Sequence, residues 1–158
     1  MYYFAYGSNM LSRRMRERVP SARIATVARL PGYRFDFRKR GADGSMKCDL
    51  VPDEIETAWG VVYQIAPAER DKLDAIEGEG YRVVEETAMR SDGSALLSVF
   101  TYQAREDWIA WGRPFDWYRD LVVAGAREHD LPAPYVEALA SMEADADPDP
   151  ERAAANRH

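Results

Sequence analysis

Cysteine and histidine are scarce in this chain. Its 158 residues hold one cysteine, Cys48, and two histidines. A single cysteine excludes an internal disulfide and suits a reducing compartment, so a cytoplasmic location is expected. So few soft ligands, with no H-E-x-x-H and no C-x-x-C spacing, argue against zinc chemistry, and no metal or other cofactor is expected. Long apolar runs are missing as well. None approaches the roughly 20 residues a membrane span needs. The opening Met1-Tyr2-Tyr3-Phe4-Ala5-Tyr6 lacks a basic flank and is too brief for a signal peptide.

What is present is an ordinary globular mixture. Hydrophobic residues make up 46% and charged residues 30%, a balance that fits one packed domain and not a disordered polymer. The net charge of −6 is unevenly spread. Residues 1–50 carry 11 Lys and Arg against 4 Asp and Glu, and the remainder carries 10 against 23. The basic third reads as a solvated face. Overall acidity argues against a surface that tracks phosphates, so no nucleic acid partner is expected.

Aromatic Tyr2 to Tyr6 reads as a first strand. Gly7-Ser8-Asn9 breaks it, and Ser8 or Asn9 is placed to cap a helix from about Met10 to Arg18. The Arg13-Arg14-Met15-Arg16 run reads as an exposed face of that helix. Ala22 to Arg40 forms one long or bent strand interrupted at Pro31-Gly32. Within it Tyr33, Phe35 and Phe37 alternate with Arg34, Asp36 and Arg38, a half-buried pattern. Met46 to Val51 and Thr57 to Ile65 read as two further strands. Pro67 opens a short amphipathic helix that Gly78 stops. Tyr81 to Met89 and Ala95 to Gln103 form a hairpin around Ser91-Asp92-Gly93-Ser94. Helices follow from Pro114 to about His129 and from Ala133 to Met142. The sum is six or so strands joined mostly by hairpins. It predicts an α+β fold, a small curled and mostly antiparallel β-barrel flanked by helices. Residues 1–142 form a single domain. Residues 143–158, rich in Ala, Asp and Pro, form a flexible tail.

Two stretches carry chemistry. In Tyr6-Gly7-Ser8-Asn9 a strand gives way to a helix start through small residues. Gly7 permits close backbone approach, and amides near Ser8, Asn9 and Met10 suit a carboxylate or an oxyanion. The same residues also make an ordinary turn and cap. In Leu73-Asp74-Ala75-Ile76-Glu77-Gly78, Glu77 ends a helix beside apolar Ile76. The helix dipole and apolar neighbours both disfavour its ionised form, which raises the pKa as a base working at neutral pH requires. A solvent-facing Glu77 is the plain alternative, and Asp74, Glu79, Glu85 and Glu86 are nearby competitors.

Together these stretches resemble the γ-glutamylcyclotransferase family, whose members carry an N-terminal Tyr-Gly-Ser-Asn loop and a catalytic Glu in a Leu-Asp-x-x-Glu-Gly stretch. The resemblance continues in order. Val27-Ala28-Arg29-Leu30 with Phe35-Asp36-Phe37, and Trp59-Gly60-Val61-Val62-Tyr63, are similar to family strands. Gly80-Tyr81 is similar to the tyrosine that follows the catalytic Glu. Pro114, Tyr118-Arg119-Asp120-Leu121 and Gly125-Ala126-Arg127-Glu128 resemble the C-terminal helix, and Leu131-Pro132 with Tyr135 extends the match to about residue 142.

The resemblance implies a small β-barrel and a cyclisation. The α-amine of a γ-glutamyl group attacks its own γ-carbonyl, giving 5-oxoproline and a free amine. Glu77 would be the general acid/base. Tyr6, Gly7, Ser8 and Asn9 would hold the substrate, with Tyr81 and Tyr118 as pocket tyrosines offering hydroxyls. The expected partner is a small γ-glutamyl compound. The substrate supplies the nucleophile, so no Ser-His-Asp or Cys-His set is required.

Two other readings use the same residues. One is removal of a γ-glutamyl group from a specialised biosynthetic intermediate. The other is a non-catalytic small-molecule binding module, which would have no use for a partly buried carboxylate. Cys48 reads as a core residue, His129 as a charge partner at a helix end, and the aromatic stretch Trp108 to Trp117 as packing. Arg82 is a lesser candidate for a substrate carboxylate. A monomer or a weak homodimer is expected.

Overall fold

The computed structural model describes residues 1–157. Five strands, β1 (Tyr2–Ala5), β2 (Arg23–Arg40), β3 (Met46–Gln64), β4 (Tyr81–Arg90) and β5 (Leu96–Ala104), close into a barrel in the order β1-β3-β2-β4-β5. Neighbours run antiparallel except for β1 beside β5, where Tyr3 pairs with Phe100 in parallel. Five helices surround it: α1 (Ser12–Arg18), α2 (Arg70–Glu77), α3 (Asp116–Glu128), α4 (Ala133–Ala140) and α5 (Pro150–Asn156). Among the described residues no helix is long and apolar enough to cross a membrane.

The expected barrel is present with fewer and longer strands. β3 runs on as one strand where two were expected, because β2 pairs with it on both sides of residues 53–56, which themselves have no partner in the register. Pro31-Gly32 does not end β2 but shifts its register, from Pro31 opposite Thr57 to Tyr33 opposite Pro52, with Gly32 at φ 88. A bulge of this type bends a strand without ending its pairing. That bend lets one hairpin serve both the barrel wall and the rim of the cavity described below.

The first helix also starts differently. Ser8–Met10 form a single 3-10 turn, and α1 begins only at Ser12. No side chain caps either segment. Met15, wholly buried, docks α1 on the barrel. Burying one such side chain stabilises the fold by roughly 1.5–3 kcal/mol.

The turn at Ser8–Met10 is anchored from the far end of the chain. The Met10 carbonyl accepts from the Tyr63 hydroxyl and lies 2.9 Å from His129 Nε2. Glu128 accepts from the Ser12 amide and from its hydroxyl. His129 therefore stands beside an anion at the helix end, as expected, and also ties α3 to the N-terminal loop.

The C-terminal segment differs most from its composition. Asp145 pairs with Phe115, and Asp149 caps α5 by accepting from the Glu151 and Arg152 amides. Asp147 accepts from Trp117 Nε1 at 2.8 Å and from Arg152 at 2.6 Å. Acidic residues that read as solubilising are used as caps and anchors, so the segment folds back on α3 where fraying was expected. His158 lies outside the described residues.

Candidate active site

A cavity of about 290 Å³ opens at one end of the barrel. Every residue expected to form a site lines it: Tyr6, Gly7, Ser8, Asn9, Glu77, Tyr81 and Tyr118. Each arrives for a local reason. β1 ends at Ala5, and the 3-10 turn swings Ser8 and Asn9 under the barrel end. Glu77 is the last residue of α2, where Gly78, at φ 83 and ψ −176, takes a conformation open chiefly to glycine and ends the helix. Tyr81 begins β4, and Tyr118 sits in the first turn of α3.

The loop and the carboxylate meet directly. Asn9 Nδ2 donates to Glu77 Oε1 at 2.9 Å. Asn9 also lies 3.2 Å from the Tyr3 hydroxyl, and its Oδ1 accepts from Arg18 at 3.2 Å. Arg14 Nε donates to Ser8 Oγ at 3.1 Å. Among the described residues no second donor reaches the Glu77 carboxylate, so its other oxygen is open to a ligand. Among the described residues neither the Ser8 nor the Asn9 amide has a backbone acceptor outside its own turn, and the Ser8 amide faces the Cys48 thiol.

Burial drives the Glu77 carboxyl above the ordinary value of 4.5, opposed by Arg18, the Asn9 hydrogen bond, Lys39 and Arg14. The raised value was anticipated, but its cause lies across the fold: tyrosines from three strands and a helix exclude water from the carboxylate. Glu77 as a residue is only half-buried, because the cavity is open on one side.

The tyrosines act more as walls than as donors. Tyr6 gives its hydroxyl proton to the Tyr102 carbonyl at 2.6 Å, and Tyr81 gives its own to the Cys48 carbonyl at 2.7 Å. Tyr118 Oη stands 3.2 Å from Cys48 Sγ. The offered hydroxyls expected of Tyr81 and Tyr118 are thus committed within the protein. Burial pushes the Cys48 thiol up to about 12, so it is inert, as read. Its place against the loop explains Gly7: a Cβ there would stand 2.8 Å from Cys48 Sγ.

Sequence similarity agrees with this geometry. Residues 57–139 match the AIG2-like family. Human γ-glutamylcyclotransferase is 30% identical over 148 residues, covering 89% of this chain and 78% of that one. The bovine enzyme of the same name is 29% identical over 149 residues with equal coverage. A solved structure described as a γ-glutamyl cyclotransferase superposes with a TM-score of 0.85 at 27% identity, covering 92% of this chain and 89% of that one. The chain belongs to the γ-glutamylcyclotransferase family, a family of enzymes.

Within that family fold, several lining residues escaped the sequence reading. Arg14, Arg18, Lys39 and Lys47 all line the cavity, so part of the basic N-terminal third faces inward and is not a solvated face. Arg14 leaves the run that was read as exposed. Its neighbour Met15 is buried, and Arg14 and Arg18 stand four apart beside it, which turns both toward the loop. Tyr3 and Tyr102 complete the wall. Arg82 lies elsewhere, bonded to Gln103 at 2.6 Å. Of the aromatic stretch, Trp117 lines the cavity while Trp111 is fully exposed.

Proposed function

We propose that this protein is a γ-glutamylcyclotransferase that closes a γ-glutamyl amino acid or γ-glutamyl amine to 5-oxoproline, with Glu77 as general acid/base. The observation that carries the reading is the 2.9 Å contact of Asn9 with Glu77 inside one small cavity. About 290 Å³ is at the lower end of the roughly 300–1,000 Å³ typical of ligand pockets, a size suited to a curled glutamyl chain.

The α-amine nitrogen forms a bond to the γ-carbonyl carbon of the same glutamyl group. The bond from that carbon to the leaving nitrogen then breaks. One proton moves from the attacking nitrogen to Glu77 and from Glu77 to the departing amine. Asn9 fixes one carboxylate oxygen, and the second faces the amine. A raised carboxyl pKa narrows the gap to the amine, whose reference value is about 7.7–8.0, so transfer in both directions is accessible.

The rest of the work is positioning. Ring closure within one molecule reaches effective molarities of roughly 10⁵ M or more when the reacting atoms are held in line. Tyrosine walls compress the glutamyl chain toward that shape. The Ser8 and Asn9 amides, with Arg14 and Arg18 behind them, suit its α-carboxylate or the developing oxyanion.

The test is to incubate the purified protein with a panel of γ-glutamyl amino acids and γ-glutamyl amines and measure 5-oxoproline. Release from at least one compound is expected. Folded protein that releases none from the whole panel would defeat the reading.

A further inference from the structure

Lys39 is a buried cation with no direct ion pair, compensated only at a distance, first by the Glu77 carboxylate. It is 8% exposed, yet its side chain lines the cavity. Among the described residues it makes no ion pair and no hydrogen bond. What holds it are two ring faces: its Nζ lies 4.8 Å from the centre of Tyr81 and 5.0 Å from that of Trp108. Aromatic faces steady an ammonium without neutralising it. The niche is built for it. A Cβ on Gly80 would stand 2.3 Å from Lys39 Cε and 2.9 Å from both Nζ and Trp108, so a side chain there would displace the lysine from this niche. Burying a charge with no direct partner is costly. Glu77, which acts on it through space, is the group given above to the reacting amine, so the ammonium at the cavity wall is left for an anion that arrives with the ligand.

The other cations of the cavity are already engaged. Lys47 pairs with Asp43 at 2.9 Å. Arg14 and Arg18 are bonded to Ser8 and Asn9, the loop given above to the glutamyl head. Lys39 rises from β2, whereas Arg14 and Arg18 come from α1, and Gly41 and Ala42 line the same cavity. A substrate whose glutamyl end sits on the loop extends its leaving group toward β2. Resting on the cyclotransferase reading, we propose that Lys39 is a specificity-determining residue that binds a carboxylate on the departing amine, so that γ-glutamyl amino acids are selected over γ-glutamyl amines.

The experiment compares kcat/KM for γ-glutamylalanine and γ-glutamylethylamine, which differ only by that carboxylate, in the wild type and in Lys39→Met and Lys39→Arg. The wild type should favour γ-glutamylalanine by roughly 10- to 100-fold, the scale of one hydrogen bond to a charged group. Lys39→Met should lose that factor on γ-glutamylalanine alone, bringing the ratio near one, while Lys39→Arg keeps part of it. Equal loss on both compounds would overturn the inference, since Lys39 would then serve the glutamyl head or the packing. Equal wild-type activity on the two would overturn it even if no variant folds. Turnover of neither by a wild type that releases 5-oxoproline from other γ-glutamyl compounds would also overturn the inference, and release from none of the whole panel would defeat the cyclotransferase reading with it.

Discussion

The two charged walls of the cavity are built on opposite plans. On the α1 wall each of these side chains already has a partner: Arg14 on Ser8, Arg18 on Asn9, Asn9 on Tyr3 and Glu77. On the β2 wall Lys39 touches only ring faces. The first arrangement fixes geometry before a substrate enters. The second keeps a charge in reserve for one. On the proposed reading the difference separates two tasks: groups assigned the chemistry common to all substrates are held by the protein, and the group assigned to what varies between substrates is left for the substrate to satisfy.

That contrast breaks first at Glu77. Glu77→Gln should lower 5-oxoproline release by about 10²–10⁴-fold, equally for every leaving amine, with an unchanged circular dichroism spectrum. The same variant should melt higher than wild type at pH 7. The native carboxyl titrates above its unfolded value because of burial. Ionising it as pH rises through the native pKa therefore costs stability that a glutamine does not lose. The gain should vanish below about pH 4, where both forms are neutral.

Next comes Gly7→Ala, which drives a Cβ into Cys48 Sγ. A displacement of about 1 Å costs roughly 100-fold when the displaced group positions substrate. Adding Cys48→Ala relieves the clash, so the double variant should recover much of the rate. Asn9→Ala should cost about tenfold through the lost hydrogen bond to a charged group. Because Asn9 holds the Glu77 pKa down, the acid limb of the rate profile should move to higher pH. The smallest effect belongs to the anchor of the α1 wall. Ser12→Ala removes the hydroxyl bond to Glu128 and should lower stability by about 1 kcal/mol, a melting shift of roughly 2–4 °C.

The same contrast explains what was legible in the sequence. Tyr6-Gly7-Ser8-Asn9 and the Glu77-Gly78 helix end are local patterns whose chemistry sits within a few residues. The barrel was legible from β-alternation and hairpin turns, although β3 read as two strands because residues 53–56 are unpaired and only the pairing with β2 on either side of them makes it one. Arg14 and Arg18 were hidden because the inward face of a seven-residue helix is set by where Met15 docks, and Met15 is one apolar residue among arginines. Lys39 left a signal that went unused. Phe35 and Phe37 face inward at a spacing of two, and Lys39 is the next residue in that series. A lysine at an inward position marks a cation with a task. The C-terminal helix was illegible by composition because its acidic residues act through contacts with Trp117 and Arg152.

The account turns on the Glu77 carboxyl being the titrating base of the cavity, and the pH dependence of kcat/KM for 5-oxoproline release tests this most directly. The wild type should show an acid limb with its midpoint above the ordinary carboxylate value of 4.5, since kcat/KM reports the free enzyme. That limb should be missing from the residual activity of Glu77→Gln. A limb that persists unchanged in the glutamine variant, or one at or below 4.5 in the wild type, would contradict it.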